Sequence, residues 1–476
     1  NMNVKSKSIS YICIKTDRIM KRDFEKYLLH WKNSPNRKPL IIRGARQVGK
    51  TYTVDRFAEK NYQHYLKINL EQDTHLKSVF ESNHPDQIIY NLSALYQVPL
   101  KEKQSLLFID EIQVAPEAIK SLRYFHEQKP DLHIITAGSL LDHTLNHIKY
   151  SMPVGRVEFA YMYPMTFKEF LMASGENGLV EAMDQFEPQK SFSYAIHKRI
   201  SELLRLYFFI GGMPEAVASY IQQKDMTEIE KIHSNILTSI EYDFAKYGTR
   251  KQQEHLRDVL HYVANHIGKK VKYSQVNKSV NSSVLKDAFL KLELSRIIHL
   301  VRHTKSSEVP LTQYQNNDVF KPVFFDIGLV NQLAKIQLTD LDNLVTAYEG
   351  ALAEQFVCQE FIASQKIFKE QKLHYWIREA KNANAEIDCL MQINNKVYPI
   401  EIKSGKRGTL KSLHVFLAEK NKKTGIRFNL DLPSYGKDLT APVNLPDKKQ
   451  IQYNLLSLPL YFAYRLYELP LNELDQ

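Results

Sequence analysis

The sequence predicts an α/β protein. Its leading domain is a parallel sheet with the ligand site at the strand tips, and its last third is a second α/β domain. Three observations predict this. The apolar run Pro39 to Ile42 leads into Gly44-Ala45-Arg46-Gln47-Val48-Gly49-Lys50-Thr51, and a helix-like segment follows. About 60 residues after that loop, Leu106-Leu107-Phe108-Ile109 ends in Asp110-Glu111. Near the end, a helical segment with Glu354 precedes a strand with Asp388 and a hairpin strand with Glu401 and Lys403.

The first stretch is a phosphate cradle. A polyphosphate needs several backbone N–H donors aimed at one point, and Gly44 and Gly49 let the chain curl close without a Cβ in the way. The helix opening at Lys50 adds its positive N-terminal end. Lys50 is expected on the β- and γ-phosphates and the Thr51 hydroxyl on Mg²⁺. The nucleotide-binding set is therefore Gly44, Ala45, Arg46, Gln47, Val48, Gly49, Lys50 and Thr51. Leu106 to Ile109 reads as a strand buried on both faces, with its acids at the carboxyl edge where such sheets bind ligands. Asp110 is expected to hold Mg²⁺, and Glu111 to polarise the attacking water.

Composition is that of an ordinary globular chain. Its 476 residues are 43% hydrophobic and 25% charged, which suggests about three domains. No apolar run approaches the roughly 20 residues of a membrane span, and a cytoplasmic location is expected. Cys13, Cys358 and Cys389 are scattered and odd in number, which argues against disulfide or zinc frameworks. The net charge is +11. Lys246 to Lys305 holds 13 basic and 4 acidic residues, and Lys403 to Arg427 holds 8 basic and 1 acidic. Such clusters suit a polyanion, or are simply solvated surface.

Taken in order, Arg22 to Lys32 has helical spacing and Tyr65 to Leu70 reads as a strand. Gln87 to Leu95 reads as a helix. Leu132 to Ile135 is another apolar strand, followed by Thr136-Ala137-Gly138-Ser139, and Gly155-Arg156 precedes the strand Val157 to Tyr163. The set Gly44 to Thr51, Asp110-Glu111, Ala137-Gly138-Ser139 and Gly155-Arg156 resembles the AAA+ superfamily of P-loop ATPases. It resembles more narrowly a STAND-like family that joins such a module to a C-terminal domain of unknown function. The resemblance implies an ATP- and Mg²⁺-dependent hydrolase. It makes Ser139 a sensor of the γ-phosphate and Arg156 a charge-stabilising arginine, in cis or from a neighbouring copy.

Beyond the core at 21–170, residues 171–245 are expected to form a helical lid. Gly175 to Lys190 is polar and reads as a loop. Ile196 to Ile210 is helical and stops at Gly211-Gly212-Met213-Pro214, similar to the lid turn that packs near the base in related ATPases, or simply a helix stop. Residues 246–310 give helix, turn, helix and strand, a winged-helix pattern. That module either places its second helix in a DNA groove or packs structurally.

Residues 311–476 carry the second constellation. Glu401 and Lys403 share a strand face because side chains alternate, and Asp388 lies on the paired strand. Carboxylates that hold a divalent ion, beside a lysine that offsets developing charge, are what phosphodiester hydrolysis requires. The order Glu354, Asp388, Glu401, Lys403 resembles the PD-(D/E)xK nucleases, a restriction-endonuclease-like fold, although the proline of that motif is absent. It implies Glu354, Asp388 and Glu401 as metal ligands, with Asp388, Glu401 and Lys403 catalytic. The functional reading is an ATPase whose nucleotide state controls a nuclease-like domain acting on DNA or RNA. The alternative is an ATP-gated switch or scaffold whose nuclease fold is silent. Self-association is open.

Overall fold

The computed structural model describes residues 20–138, 153, 155–336, 346–378, 385–403, 409–445 and 448–475. The first sheet contains β1 (Leu40–Arg43), β2 (His64–Asn69), β3 (Ser105–Asp110), β4 (His133–Gly138) and β5 (Glu158–Tyr161). All neighbours pair parallel, in the order β2-β3-β4-β1-β5. The strands read as near-continuous apolar runs because helices cover both faces. Side chains alternate between the two cores that result: Ile41, Leu107, Ile109 and Ile134 face one, and Leu40, Ile42, Phe108 and Ile135 the other.

The segment after this sheet is helical. Thr166 opens the helix Phe167–Ala173 with a capping box, its hydroxyl accepting the Glu169 amide while Glu169 accepts the Thr166 amide. The polar stretch read as a loop contains the helix Asn177–Asp184 instead, because Val180 and Met183 find an apolar surface to cover. Helices Tyr194–Ile210, Pro214–Gln223 and Met226–Asp243 follow.

The second sheet has the strand order β12-β13-β11-β10-β9-β8-β6-β7. Its members are β6 (Ile298–Thr304), β7 (Gln315–Phe324), β8 (His374–Ile377), β9 (Glu386–Ile393), β10 (Lys396–Ile402), β11 (Thr424–Asn429), β12 (Ser434–Leu445) and β13 (Lys448–Pro459). The expected boundary at residue 310 falls between β6 and β7, which pair antiparallel. β6 also pairs parallel with β8. The strand expected to close the winged-helix pattern is thus paired into one edge of the C-terminal sheet. Helices Arg250–Asn265 and Ser282–Leu294 pack against each other and against that edge.

Part of the basic excess of residues 246–305 is met by acids elsewhere in the chain. Arg296 pairs with Glu370 at 2.9 Å and Lys246 with Glu71 at 2.6 Å, and Lys286 contacts Asp318, while Arg302 pairs with Glu293 of the same segment at 2.6 Å. The two sheets are docked through buried polar contacts. The Tyr161 amide donates to the Ile367 carbonyl at 2.8 Å, the Phe167 amide to Glu360 at 3.0 Å, and Asn331 to the Phe208 carbonyl at 2.6 Å. One apolar core runs from Phe24 through Tyr207 and Phe356 to Phe462. Among the described residues, no helix is long and apolar enough to cross a membrane.

Candidate functional site

The phosphate loop leaves β1 at the carboxyl edge of the first sheet. Two glycines make its path possible. Gly49 caps the following helix at φ +92°, a conformation that side chains with a Cβ rarely adopt. A Cβ on Gly44 would collide with the Met162 carbonyl. Lys50 opens the helix Lys50–Asn61 and curls back, its ammonium donating to the carbonyls of Gly44 at 2.9 Å and Ala45 at 2.7 Å. Burial lowers its pKa to about 8, against the pull of Glu111 and Asp110. The ammonium is therefore held on the loop by two carbonyls.

Asp110 ends β3 and reaches the same point. Its Oδ2 accepts from the Thr51 hydroxyl at 2.8 Å, and its Oδ1 accepts the Glu111 amide at 3.0 Å. A hydroxyl and a carboxylate side by side at the phosphate loop are hard oxygen donors of the kind that would hold a Mg²⁺ ion. The residues present fit that ion. Glu111 turns through φ +52°, and its Oε2 accepts from the Gln113 amide group at 2.5 Å. Lys50, Thr51, Asp110, Glu111, Arg46 and Pro214 line one cavity of about 470 Å³. That volume is in the range of small-ligand sites.

Several contacts that shape this site gave no sequence signal. Arg22 sends Nε to Glu169 at 3.0 Å and Nη1 to the Val48 carbonyl at 2.9 Å, which fixes the loop from behind. Arg46 pairs with Asp243 at 2.8 Å, tying the loop to the end of the helix Met226–Asp243. Pro214, on the glycine–proline turn, packs toward Gly49. Only the turn itself was legible, from its glycines and proline.

Ser139 lies outside the described residues. Arg156 lies at the amino end of β5, the opposite edge of the parallel sheet from the phosphate loop. It is half exposed and pairs with Glu127 at 2.9 Å. A role in cis is therefore corrected: the length of a strand separates the guanidinium from the cavity of its own chain.

The second constellation gathers on the C-terminal sheet. Lys403 lies 2.5 Å from Glu401. Asp388 accepts the Ile402 amide at 2.8 Å. Glu354, on the helix Thr346–Ala363, lies 3.1 Å from the ammonium of Lys321, which is 3.9 Å from Asp388 and also contacts Glu386. The four expected groups are thus neighbours, with Lys321 and Glu386 added. Burial pushes the Glu401 carboxyl up to about 7, with Asp388 adding to the rise. Burial also raises Glu354, against the attraction of Lys321. For Lys321 burial works against the charge, but Glu354, Asp388 and Glu386 outweigh it and hold its pKa well above the lysine range. Among the described residues, no group of three or more His, Cys, Asp or Glu is arranged to hold a metal ion.

Three family models match separate parts of the chain. Residues 36–171 match an AAA domain, and residues 201–340 and 349–446 each match a domain of unknown function. No curated protein matches. Among solved structures, the chain is similar to the Aeropyrum pernix ORC2 protein in ADPNP–ADP complexes, at 11% identity and TM-score 0.31, over 68% of this chain and 91% of that one. It is similar to the Thermotoga maritima RuvB Holliday junction branch migration motor at 15% identity and TM-score 0.28, over 59% and 90%. Drosophila ORC bound to DNA is similar at 14% identity and TM-score 0.25, over 67% and 84%. At these identities and scores the likenesses carry no argument about this chain. The phosphate loop, the parallel sheet and the Asp110–Glu111 strand end all fall within the first match, and the chain therefore carries an AAA domain at residues 36–171.

Proposed function

We propose that the chain is a Mg²⁺-dependent ATPase whose nucleotide state is passed to its C-terminal sheet. The amides of Gly44 to Gly49 take the phosphates, and Lys50 neutralises the β- and γ-groups. Thr51 and Asp110 hold Mg²⁺, and Glu111, steadied by Gln113, orients the attacking water. The observation that carries the coupling is one hydrogen bond. The turn that brings Pro214 to the nucleotide cavity gives its Gly212 amide to Asp326, just beyond the end of β7, at 2.6 Å. A ligand that moves Pro214 must stretch that bond or carry β7 with it.

The test is ATP turnover. Lys50→Ala abolishes nucleotide binding, whereas Glu111→Gln retains it and lowers turnover by about 10²- to 10⁴-fold, the usual worth of a general base. Unchanged hydrolysis in both variants would discard the site.

A second reading concerns the C-terminal sheet. The closeness of Glu354, Asp388, Glu401 and Lys403 favours a site descended from phosphodiester hydrolysis, with DNA or RNA as the partner class. Cleavage of DNA or RNA with Mg²⁺ or Mn²⁺, lost in Lys403→Ala, supports an active nuclease. Salt-dependent binding without cleavage supports a switch that only holds nucleic acid. Sensing by Ser139, and a contribution of Arg156 to the cavity of a second copy, belong to the same proposal.

A further inference from the structure

The acid cluster of the C-terminal sheet already contains a cation. Lys321 interrupts the apolar run Val319 to Phe325 and is 1% exposed. Its ammonium touches Glu386, lies 3.1 Å from Glu354 and 3.9 Å from Asp388, and faces the Tyr375 ring 5.1 Å from its centroid. Glu354 is held in place from behind. Gly268, at φ +69°, leaves the room its carboxylate occupies, and a Cβ there would collide with Glu354 Oε2.

We propose that Lys321 is a tethered ammonium standing where a divalent cation would bind, so that this cluster is closed to metal while Lys321 is in place. The inference rests on reading the cluster as the functional site of the C-terminal sheet, and is independent of ATP hydrolysis. Three arguments carry it. A hard divalent ion needs several carboxylate oxygens converging at about 2.0–2.6 Å, and three of the carboxylates present already converge on nitrogen. An ammonium and a dication among the same carboxylates repel each other in a buried, weakly screened setting. Finally, Glu401 is 3% exposed, yet among the described residues its Oε2 has no partner, while its other oxygen binds Lys403. A buried carboxylate oxygen left unmatched marks a cluster whose acids outnumber its lysines, four to two, with capacity for one more positive charge once Lys321 is gone.

The test counts Mn²⁺ bound to the nucleotide-free full chain by isothermal titration calorimetry. Wild type and Asp388→Asn are expected to take up the same amount. Lys321→Met is expected to gain one Mn²⁺ per chain, and Lys321→Met/Asp388→Asn to lose it again. Lys321→Arg, which keeps the charge, gains none. An Asp388-dependent site in the wild type overturns the proposal, and so does a folded Lys321→Met chain without the added ion. Removing Lys321 strips buried acids of their counter-charge, so circular dichroism accompanies each variant. If Lys321→Met does not fold, the comparison of wild type with Asp388→Asn decides. ATP turnover by the wild type, measured alongside, separates failure of this proposal from failure of the ATPase reading.

Discussion

Asp326 Oδ2 accepts the Gly212 amide at 2.6 Å, while its Oδ1 accepts the Leu329 amide at 3.1 Å. One fully buried carboxylate thus caps the helix Ile327–Leu333 and holds the lid turn beside the nucleotide cavity. Removing it leaves a buried amide unpaired and a helix uncapped. Asp326→Ala is expected to cost about 3 kcal/mol, the sum of a charge-assisted bond and a cap. It is also expected to weaken ATP binding several-fold. Urea unfolding and a nucleotide titration check this, and a variant unchanged in both measurements removes the proposed link.

Arg22 and Glu169 form a buried pair at 3.0 Å, with Arg22 also holding the Val48 carbonyl of the phosphate loop. Breaking one side of such a pair strands a charge, at about 3–5 kcal/mol. Arg22→Met and Glu169→Gln should each destabilise by roughly that amount, and the double variant by clearly less than their sum. Additive losses in chemical denaturation would mean the two side chains act separately.

The Thr51 hydroxyl lies 2.8 Å from Asp110. If the two share Mg²⁺, Thr51→Ala should raise the Mg²⁺ needed for half-maximal turnover while nucleotide binding without metal changes little. EDTA should stop hydrolysis in the wild type. Equal Mg²⁺ requirements in the two proteins would exclude Thr51 from the metal shell.

Glu360 is buried where the first domain meets the C-terminal sheet, and accepts the Phe167 amide at 3.0 Å. Burial raises its pKa to about 8. A carboxyl whose folded pKa lies above its unfolded value gives stability below the unfolded pKa and loses it as pH rises toward the folded one. The window therefore runs from about 4.5 to about 8. Glu360→Gln does not titrate, so its stability relative to wild type should rise across that window by up to about 1.4 kcal/mol per pH unit. Melting curves at pH 5, 6, 7 and 8 give the comparison, and a constant offset would show that Glu360 stays ionised.

The two constellations were legible for different reasons. Gly44 to Thr51 and Asp110-Glu111 are each contiguous, so their geometry follows from local rules: a strand, a glycine turn, a helix start. Glu354, Asp388, Glu401 and Lys403 were legible as an ordered set, since strand alternation already aligns Glu401 with Lys403. Lys321 gave only a faint sign, one lysine inside an apolar run. Asp326 gave none beyond a polar residue before a helix. The strand read into the winged-helix pattern belongs to a larger sheet, which the pattern could not show because strand order depends on distant partners. β8, more than 50 residues on, pairs with β6 on the side away from β7.

By itself the sequence determined the phosphate loop, the acid-tipped strand and several of the helices, because these depend on spacing within a few residues. Only the tertiary structure decided which charges met. Which lysine sits among three acids, whether an arginine lies at the phosphate-loop edge or the far edge of the sheet, and which carboxylate grips the glycine–proline turn are long-range matters. Each depends on burial that excludes water and lets one distant partner outcompete it, and no local pattern encodes that contact.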